Sequence, residues 1–119
     1  MSRRVFGLCR LSEIPAGSSR GFSLSAPAVR EDIFLVRTLA GIYAYRNSCP
    51  HTGGPLDWVP DRFLNLDGNL IQCATHDALF RIEDGLCVKG PCAGRSLCAV
   101  AVEVSGEWVS VVFGGSGDR

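Results

Sequence analysis

Two short segments, each pairing a cysteine with a histidine, constrain this chain more than any other part of its sequence. The first is a Cys-x-His segment that begins at Cys49, and the second is a Cys-x-x-His segment that begins at Cys73. Their histidines, His51 and His76, are the only two in the chain. Thiolate sulfur and imidazole nitrogen both bind transition metals. The two segments therefore predict one site with four ligands: Cys49, His51, Cys73 and His76.

The spacing of these residues distinguishes between two kinds of metal centre. Structural zinc sites usually take their ligands from Cys-Cys and His-His pairs, whereas each segment here contains one cysteine and one histidine. That arrangement suits an iron–sulfur cluster in which one iron binds both cysteines and the other iron binds both histidines. Pro50 fixes φ inside the first segment, and Gly53 and Gly54 allow close backbone approach. A zinc-stabilised binding module with no redox role remains a remote alternative.

The two motifs resemble the ligand signature of the Rieske-type [2Fe–2S] ferredoxins, and the resemblance extends over residues 5–113. It implies one [2Fe–2S] cluster on the four predicted ligands. It implies an all-β Rieske domain of three stacked antiparallel sheets, with two cluster-binding loops at one tip. It also implies an electron-transfer protein rather than an enzyme: a ferredoxin component that takes electrons from a flavoprotein reductase and passes them to a terminal oxygenase. A Rieske small subunit of a nitrite-reductase-like or other oxidoreductase complex is the alternative.

Four positions near the motifs bear on the reduction potential. High-potential Rieske proteins have an extra cysteine in each cluster loop, joined as a disulfide, and the matching positions in this chain are Gly54 and Thr75. They also have a serine and a tyrosine hydroxyl near the cluster sulfurs, which are matched by Ala78 and Phe80. Hydrogen bonds to sulfur stabilise the reduced, more negative state. Their absence predicts a potential at the low end of the Rieske range, about −150 mV.

Three further residues are candidates for supporting or docking roles. Pro91 lies in a Gly-Pro segment that resembles the proline loop covering the cluster in this family, and we expect it to support the cluster together with Pro50, Gly53 and Gly54. Trp58 and Asp77 are candidates for partner docking, because aromatic residues favour interfaces and a carboxylate would make the docking face acidic. The alternative is that Trp58 packs on the core together with Phe63, and that Asp77 is an ordinary surface carboxylate.

Size and charge limit the classes of function. A chain of 119 residues with twelve basic and twelve acidic side chains predicts a single domain over residues 1–119, and it carries no basic field for nucleic acid. No apolar run approaches a membrane span and no export signal is evident, so we expect a soluble cytoplasmic protein. In that compartment metal binding accounts for the presence of six cysteines better than disulfide bonds do. We expect the remaining four to be small buried side chains: Cys9, Cys87, Cys92 and Cys98.

Alternating apolar residues and frequent turn signals predict an all-β fold. The predicted strands cover residues 5–11, 22–24, 33–37, 42–46, 70–72, 78–82, 86–88, 100–104 and 108–113. Residues 12–20, 55–66 and 90–94 are expected to be irregular, with at most one helical turn near residues 61–64. Residues 114–119 are expected to form a flexible tail.

Overall fold

The computed structural model of the chain describes residues 3–26, 29–50, 56–57, 61–73 and 78–114. Several predicted functional residues lie outside these ranges: His51, Gly53, Gly54, Trp58, His76 and Asp77. The predicted tail also lies outside them, apart from its first residue, which ends the last strand. The described residues include the two predicted cysteine ligands and the scaffold on both sides of each cluster loop.

Within these ranges the chain forms nine strands. They are β1 (Arg3–Arg10), β2 (Ser18–Ala26), β3 (Val29–Arg37), β4 (Ile42–Arg46), β5 (Leu70–Gln72), β6 (Leu79–Arg81), β7 (Cys87–Lys89), β8 (Ala99–Ser105) and β9 (Trp108–Gly114). A three-residue 3-10 turn, Leu11–Glu13, follows β1. None of the described segments forms a helix of the length and apolarity needed to cross a membrane.

The predicted all-β class is confirmed, and the predicted strands are found with shifted ends. β4 and β5 have the predicted bounds. β2 is longer than predicted, because its first residues, Ser18–Gly21, lack the alternation of apolar side chains and are held as a strand by pairing with β3. The helical turn expected near residues 61–64 is absent from the described part of that segment, and the 3-10 turn Leu11–Glu13 occurs instead.

All strand pairs are antiparallel, and they build two sheets within the described residues. The larger sheet has the order β1-β9-β8-β4-β3-β2, and the smaller has the order β5-β6-β7. Three sheets were expected. The difference arises at β4 and β8, which pair through Ala44 with Val100 and Tyr45 with Ala99 and so join two of the expected sheets into one.

β3 lies between two hydrophobic cores, which explains its continuous run of buried residues. Ile33 and Leu35 belong to one core, with residues of β1, β8 and β9. Phe34 and Val36 belong to the other, with residues of the β5-β6-β7 sheet. Successive side chains of a strand point to opposite faces, so β3 is covered on both sides and all four residues have no exposed surface. The chain is thus layered, and the second core contains both predicted cysteine ligands, Cys49 and Cys73.

Candidate metal centre

Cys49 and Cys73 enter the same hydrophobic core from two different strands. Cys49 follows β4 by three positions, and Cys73 directly follows β5. Their exposed fractions are 1% and 0%, and both belong to the core shared by β3 and the small sheet. The structure therefore brings together the two predicted cysteine ligands, which are 24 positions apart in the numbering. The predicted ligands His51 and His76 lie outside the described residues.

Asn47 holds the two ends of the first cluster loop together. Its side-chain oxygen accepts a hydrogen bond of 2.7 Å from the backbone N–H of Leu56, and its amide nitrogen donates one of 3.0 Å to Asp57. Its own backbone N–H donates to the carbonyl of Asp32 at 2.8 Å, which anchors it to β3. Sequence reasoning did not identify Asn47. The available signal was an amide side chain at the end of a strand, two residues before the predicted ligand Cys49.

The second cluster loop is closed by its own backbone. The N–H of Cys73 donates a hydrogen bond of 2.9 Å to the carbonyl of Ala78, across the residues that contain His76. The preceding residue, Gln72, donates to the carbonyl of Phe63 at 2.9 Å, which ties β5 to the segment before it. Both loops thus begin and end at fixed points of the scaffold, and each loop presents one buried cysteine.

A turn at residues 90–95 contacts both cluster loops. A Cβ placed on Gly90 would lie 2.8 Å from the Cα of Ala78, so the backbone at Gly90 rests on the end of the second loop. The guanidinium of Arg95 donates a hydrogen bond of 3.1 Å to the carbonyl of Pro50 in the first loop. Pro91, the residue predicted to cover the cluster, lies in this turn and is exposed. Sequence reasoning identified the turn through its proline and missed the contact made by Arg95.

Aromatic packing fixes the sheets around the cysteines. The rings of Phe34 and Phe63 stack with centroids 4.2 Å apart and an interplanar angle of 4°. The hydroxyl of Tyr45 donates a hydrogen bond of 2.5 Å to the carbonyl of Ile82, which joins β4 to the end of β6. Phe63 is fully buried, so it packs on the core as the non-docking alternative predicted. Its proposed companion Trp58 lies outside the described residues.

The surroundings of the cysteines suit a metal cluster rather than an open ligand pocket. Ala78 and Phe80 are fully buried in the core that contains Cys49 and Cys73. Among the described residues, no side chain of a polar or charged residue is buried. Two buried cysteines from separate loops are the pair of thiolates that one iron of a histidine-ligated [2Fe–2S] centre requires, so the described residues fit that half of the group.

The four other cysteines do not share one environment. Cys9, Cys87 and Cys92 are buried as predicted, and Cys9 lies in the other core. The prediction was wrong for Cys98, which is exposed. Cys98 precedes β8 and lies outside both cores, although its carbonyl accepts a hydrogen bond of 2.9 Å from the N–H of Arg46. Burial and the neighbouring Cys87 raise the pKa of Cys92, and the charge of the predicted ligand Cys49 raises it further.

Comparison with known families gives one match, to the model of the Rieske [2Fe–2S] domain over residues 5–105. This match covers most of the chain, and it includes both cysteine–histidine segments. Comparison with curated proteins gives no match.

Solved structures with the same fold include two that contain ferredoxins. A complex of reduced oxygenase and oxidised ferredoxin in carbazole 1,9a-dioxygenase matches with a TM-score of 0.71 and 24% identity, over 90% of this chain and 91% of the other. The ferredoxin of carbazole 1,9a-dioxygenase from Nocardioides aromaticivorans IC177 matches with a TM-score of 0.69 and 22% identity, over 93% of this chain and 97% of the ferredoxin. At sequence identities of 24% and 22%, these similarities show that the chain shares the fold of these structures.

A terminal oxygenase also contains this fold. The terminal oxygenase of carbazole 1,9a-dioxygenase from Novosphingobium sp. KA1 matches with a TM-score of 0.78 and 19% identity. The match covers 98% of this chain and 31% of the oxygenase chain. The fold therefore occurs both in a separate ferredoxin and as part of a larger oxygenase.

Proposed function

Since the chain belongs to the family of Rieske [2Fe–2S] domains, we propose that it is a one-electron carrier and not itself an enzyme. Cys49, His51, Cys73 and His76 would hold one [2Fe–2S] cluster, which supplies one-electron redox chemistry when bound. Pro50, Gly53, Gly54 and Pro91 would support the two loops.

The observation that carries this proposal is the burial of Cys49 and Cys73 in one apolar core. The two cysteines have almost no exposed surface, and they reach the core from loops whose ends are fixed by Asn47 and by the hydrogen bond from Cys73 to Ala78. We expect a scaffold held in this way to change little when one electron is added, which would favour fast electron exchange.

The partners we propose are a flavoprotein reductase as electron donor and a terminal oxygenase as electron acceptor. Support comes from the ferredoxins with the same fold, one of which was solved together with an oxygenase, and from the near-complete coverage of a ferredoxin chain. Trp58 and Asp77 are the proposed docking residues. If Asp77 docks, the D77N variant should transfer electrons with a weaker dependence on ionic strength than the unaltered protein.

The reduction potential proposed for the cluster is near the low end of the Rieske range, about −150 mV. Ala78 and Phe80 support this value, because both are buried in the core of the cysteine ligands and neither side chain has a hydroxyl. Fewer hydrogen bonds to sulfur leave the reduced state less stabilised. A midpoint well above zero would contradict the assignment.

An anaerobic titration tests the carrier function directly. Iron-loaded protein is titrated with dithionite and then mixed with a one-electron acceptor. We expect uptake of one electron per protein and its complete transfer to the acceptor, with two irons bound per chain. Protein that binds zinc and takes up no electron would contradict the proposal.

A further inference from the structure

Two cysteines that the proposed cluster does not use have their sulfur atoms in contact. Cys87 lies at the start of β7, and Cys92 lies in the turn that contacts both cluster loops. The Sγ of Cys92 donates to the Sγ of Cys87 at 3.2 Å, and the Sγ of Cys87 donates to the carbonyl of Lys89 at 3.3 Å. Both side chains are buried, with exposed fractions of 1% for Cys92 and 2% for Cys87. The contact is therefore between two thiols shielded from water.

The two sulfurs are in van der Waals contact but are not bonded. A disulfide has an S–S length of about 2.0 Å, so the two sulfurs need to approach by roughly 1 Å. Cys92 lies between Gly90 and Gly94, and its neighbours Pro91 and Ala93 are exposed. Cys87 lies in β7, so bond formation requires a shift of about 1 Å in the turn rather than in the strand.

We propose that Cys87 and Cys92 form a reversible disulfide beside the cluster, with a small-molecule disulfide such as oxidised glutathione as the oxidant. One cysteine thiolate attacks the glutathione disulfide, forms a mixed disulfide and releases one glutathione thiol. The second cysteine thiolate attacks the protein sulfur of the mixed disulfide and releases the other. Both thiol protons pass to the two glutathione molecules, so the two cysteines are oxidised by two electrons and the glutathione is reduced by two.

The dithiol is the resting form in this environment. Burial, the hydrogen bond with Cys87 and the charges of Cys87 and Cys49 raise the pKa of the Cys92 thiol to about 12, which leaves little thiolate for attack. Disulfide formation therefore depends on opening of the turn, and it should be slower than the reaction of the exposed Cys98 with the same oxidant.

Tryptic cleavage after Lys89 makes the bond directly observable. The cleavage places Cys87 in the peptide 82–89 and Cys92 in the peptide 90–95. Cluster-loaded C98S protein is incubated with oxidised glutathione, alkylated and digested, while the visible absorption of the cluster is followed. We expect the two peptides to be joined, the cluster to be retained, and dithiothreitol to separate the peptides again. The C98S background removes the exposed thiol and leaves Cys87 and Cys92 unchanged.

Two variants show whether the bond is specific. C9S removes a buried cysteine of the other core and should leave the joined peptides unchanged, whereas C92S should abolish them. The result that overturns the proposal is recovery of peptides 82–89 and 90–95 separately, both alkylated, from C98S protein that retains its cluster. Joining of either peptide to Cys49 or Cys73 would also overturn it. Since the decisive measurement uses C98S, it does not depend on the folding of C92S. The inference rests on the proposed cluster, but the two can fail separately: the joined peptides are read by mass, whereas the carrier function is read by electron uptake.

Discussion

The guanidinium of Arg95 donates a hydrogen bond of 3.1 Å to the backbone carbonyl of Pro50, which lies 45 positions earlier in the chain. Pro50 directly follows the proposed ligand Cys49. In the same turn, Gly90 rests on Ala78, at the end of the second cluster loop. One turn therefore links the two loops that hold the proposed cluster.

Replacing Arg95 by alanine should loosen the first cluster loop. The lost hydrogen bond is exposed to solvent, so we expect a cost of at most about 1 kcal/mol, which corresponds to at most a roughly fivefold faster loss of iron to a chelator. Exposed Arg10 in β1 provides the control, because R10A removes the same charge away from the turn. Equal rates for R95A and R10A would show that the contact with Pro50 has no part in holding the cluster.

Replacing Asn47 by alanine should have a larger effect on the same loop. It removes the bonds to Leu56 and Asp57, at a cost of about 2 kcal/mol in total. We expect protein with less bound iron, measured as iron per chain. N65A is the matched control, because Asn65 also accepts a backbone N–H, that of Asn69, in a turn outside the cluster loops. If N65A loses as much iron as N47A, the result contradicts the claim that Asn47 closes the first cluster loop.

Alanine substitutions at Gly90 and Gly94 distinguish two effects at this turn: the close contact with Ala78 and the cost of a positive φ. Both have positive φ, 108° and 91°, which costs a residue with a Cβ about 1 kcal/mol or more. A Cβ at Gly90 would also lie 2.8 Å from the Cα of Ala78, whereas one at Gly94 meets nothing within 4 Å. G90A should therefore be less stable than G94A in urea denaturation and should lose iron faster. Equal stability of the two variants would contradict the packing of Gly90 on the second loop.

Acid should weaken the β6–β7 hairpin through Asp84. Hydrogen bonds from the side chain of Arg81 and the backbone of Leu86 lower the pKa of Asp84 from 3.8 to about 2. A lowered pKa in the folded state gives stability that is present above about pH 4 and is lost as the pH falls towards 2.

The D84N variant should therefore differ in stability from the unaltered protein by a constant amount above about pH 4. The difference should shrink below that pH, as measured by denaturation at each pH. E83Q removes the neighbouring charge but keeps the hydrogen bonds of Asp84, so the E83Q protein should still lose stability as the pH falls towards 2. A difference for D84N that stays constant down to pH 2 would contradict hydrogen bonding to Asp84 as the source of this stability.

The sequence predicted the strands best where side chains alternate or where glycine marks a turn. The ends of β4 and β5 were predicted correctly because apolar and β-branched residues define them. β2 was predicted too short, because Ser18–Gly21 has no apolar pattern and its extended conformation comes from pairing with β3. Pairing of this kind is a tertiary effect that local sequence does not encode.

For the candidate site, the sequence predicted four ligands and a proline turn, and the ligand set stays a prediction. The structure buries two of the predicted ligands, Cys49 and Cys73, in one core. Asn47 and Arg95 were missed, because a single polar residue gives no periodic signal and its partner is known only after folding. Cys98 was wrongly expected to be buried. Cysteine prefers the interior on average, but Cys98 lies just before the start of β8, and the average does not predict the exposure of one such position.

The low-temperature EPR spectrum of the dithionite-reduced protein tests the central claim most directly, because its g values depend on the cluster ligands. We predict a rhombic signal with the low average g value of a histidine-ligated [2Fe–2S] cluster. A colourless, EPR-silent protein with one zinc per chain would contradict the electron-carrier function, and would make Cys49, His51, Cys73 and His76 a structural site.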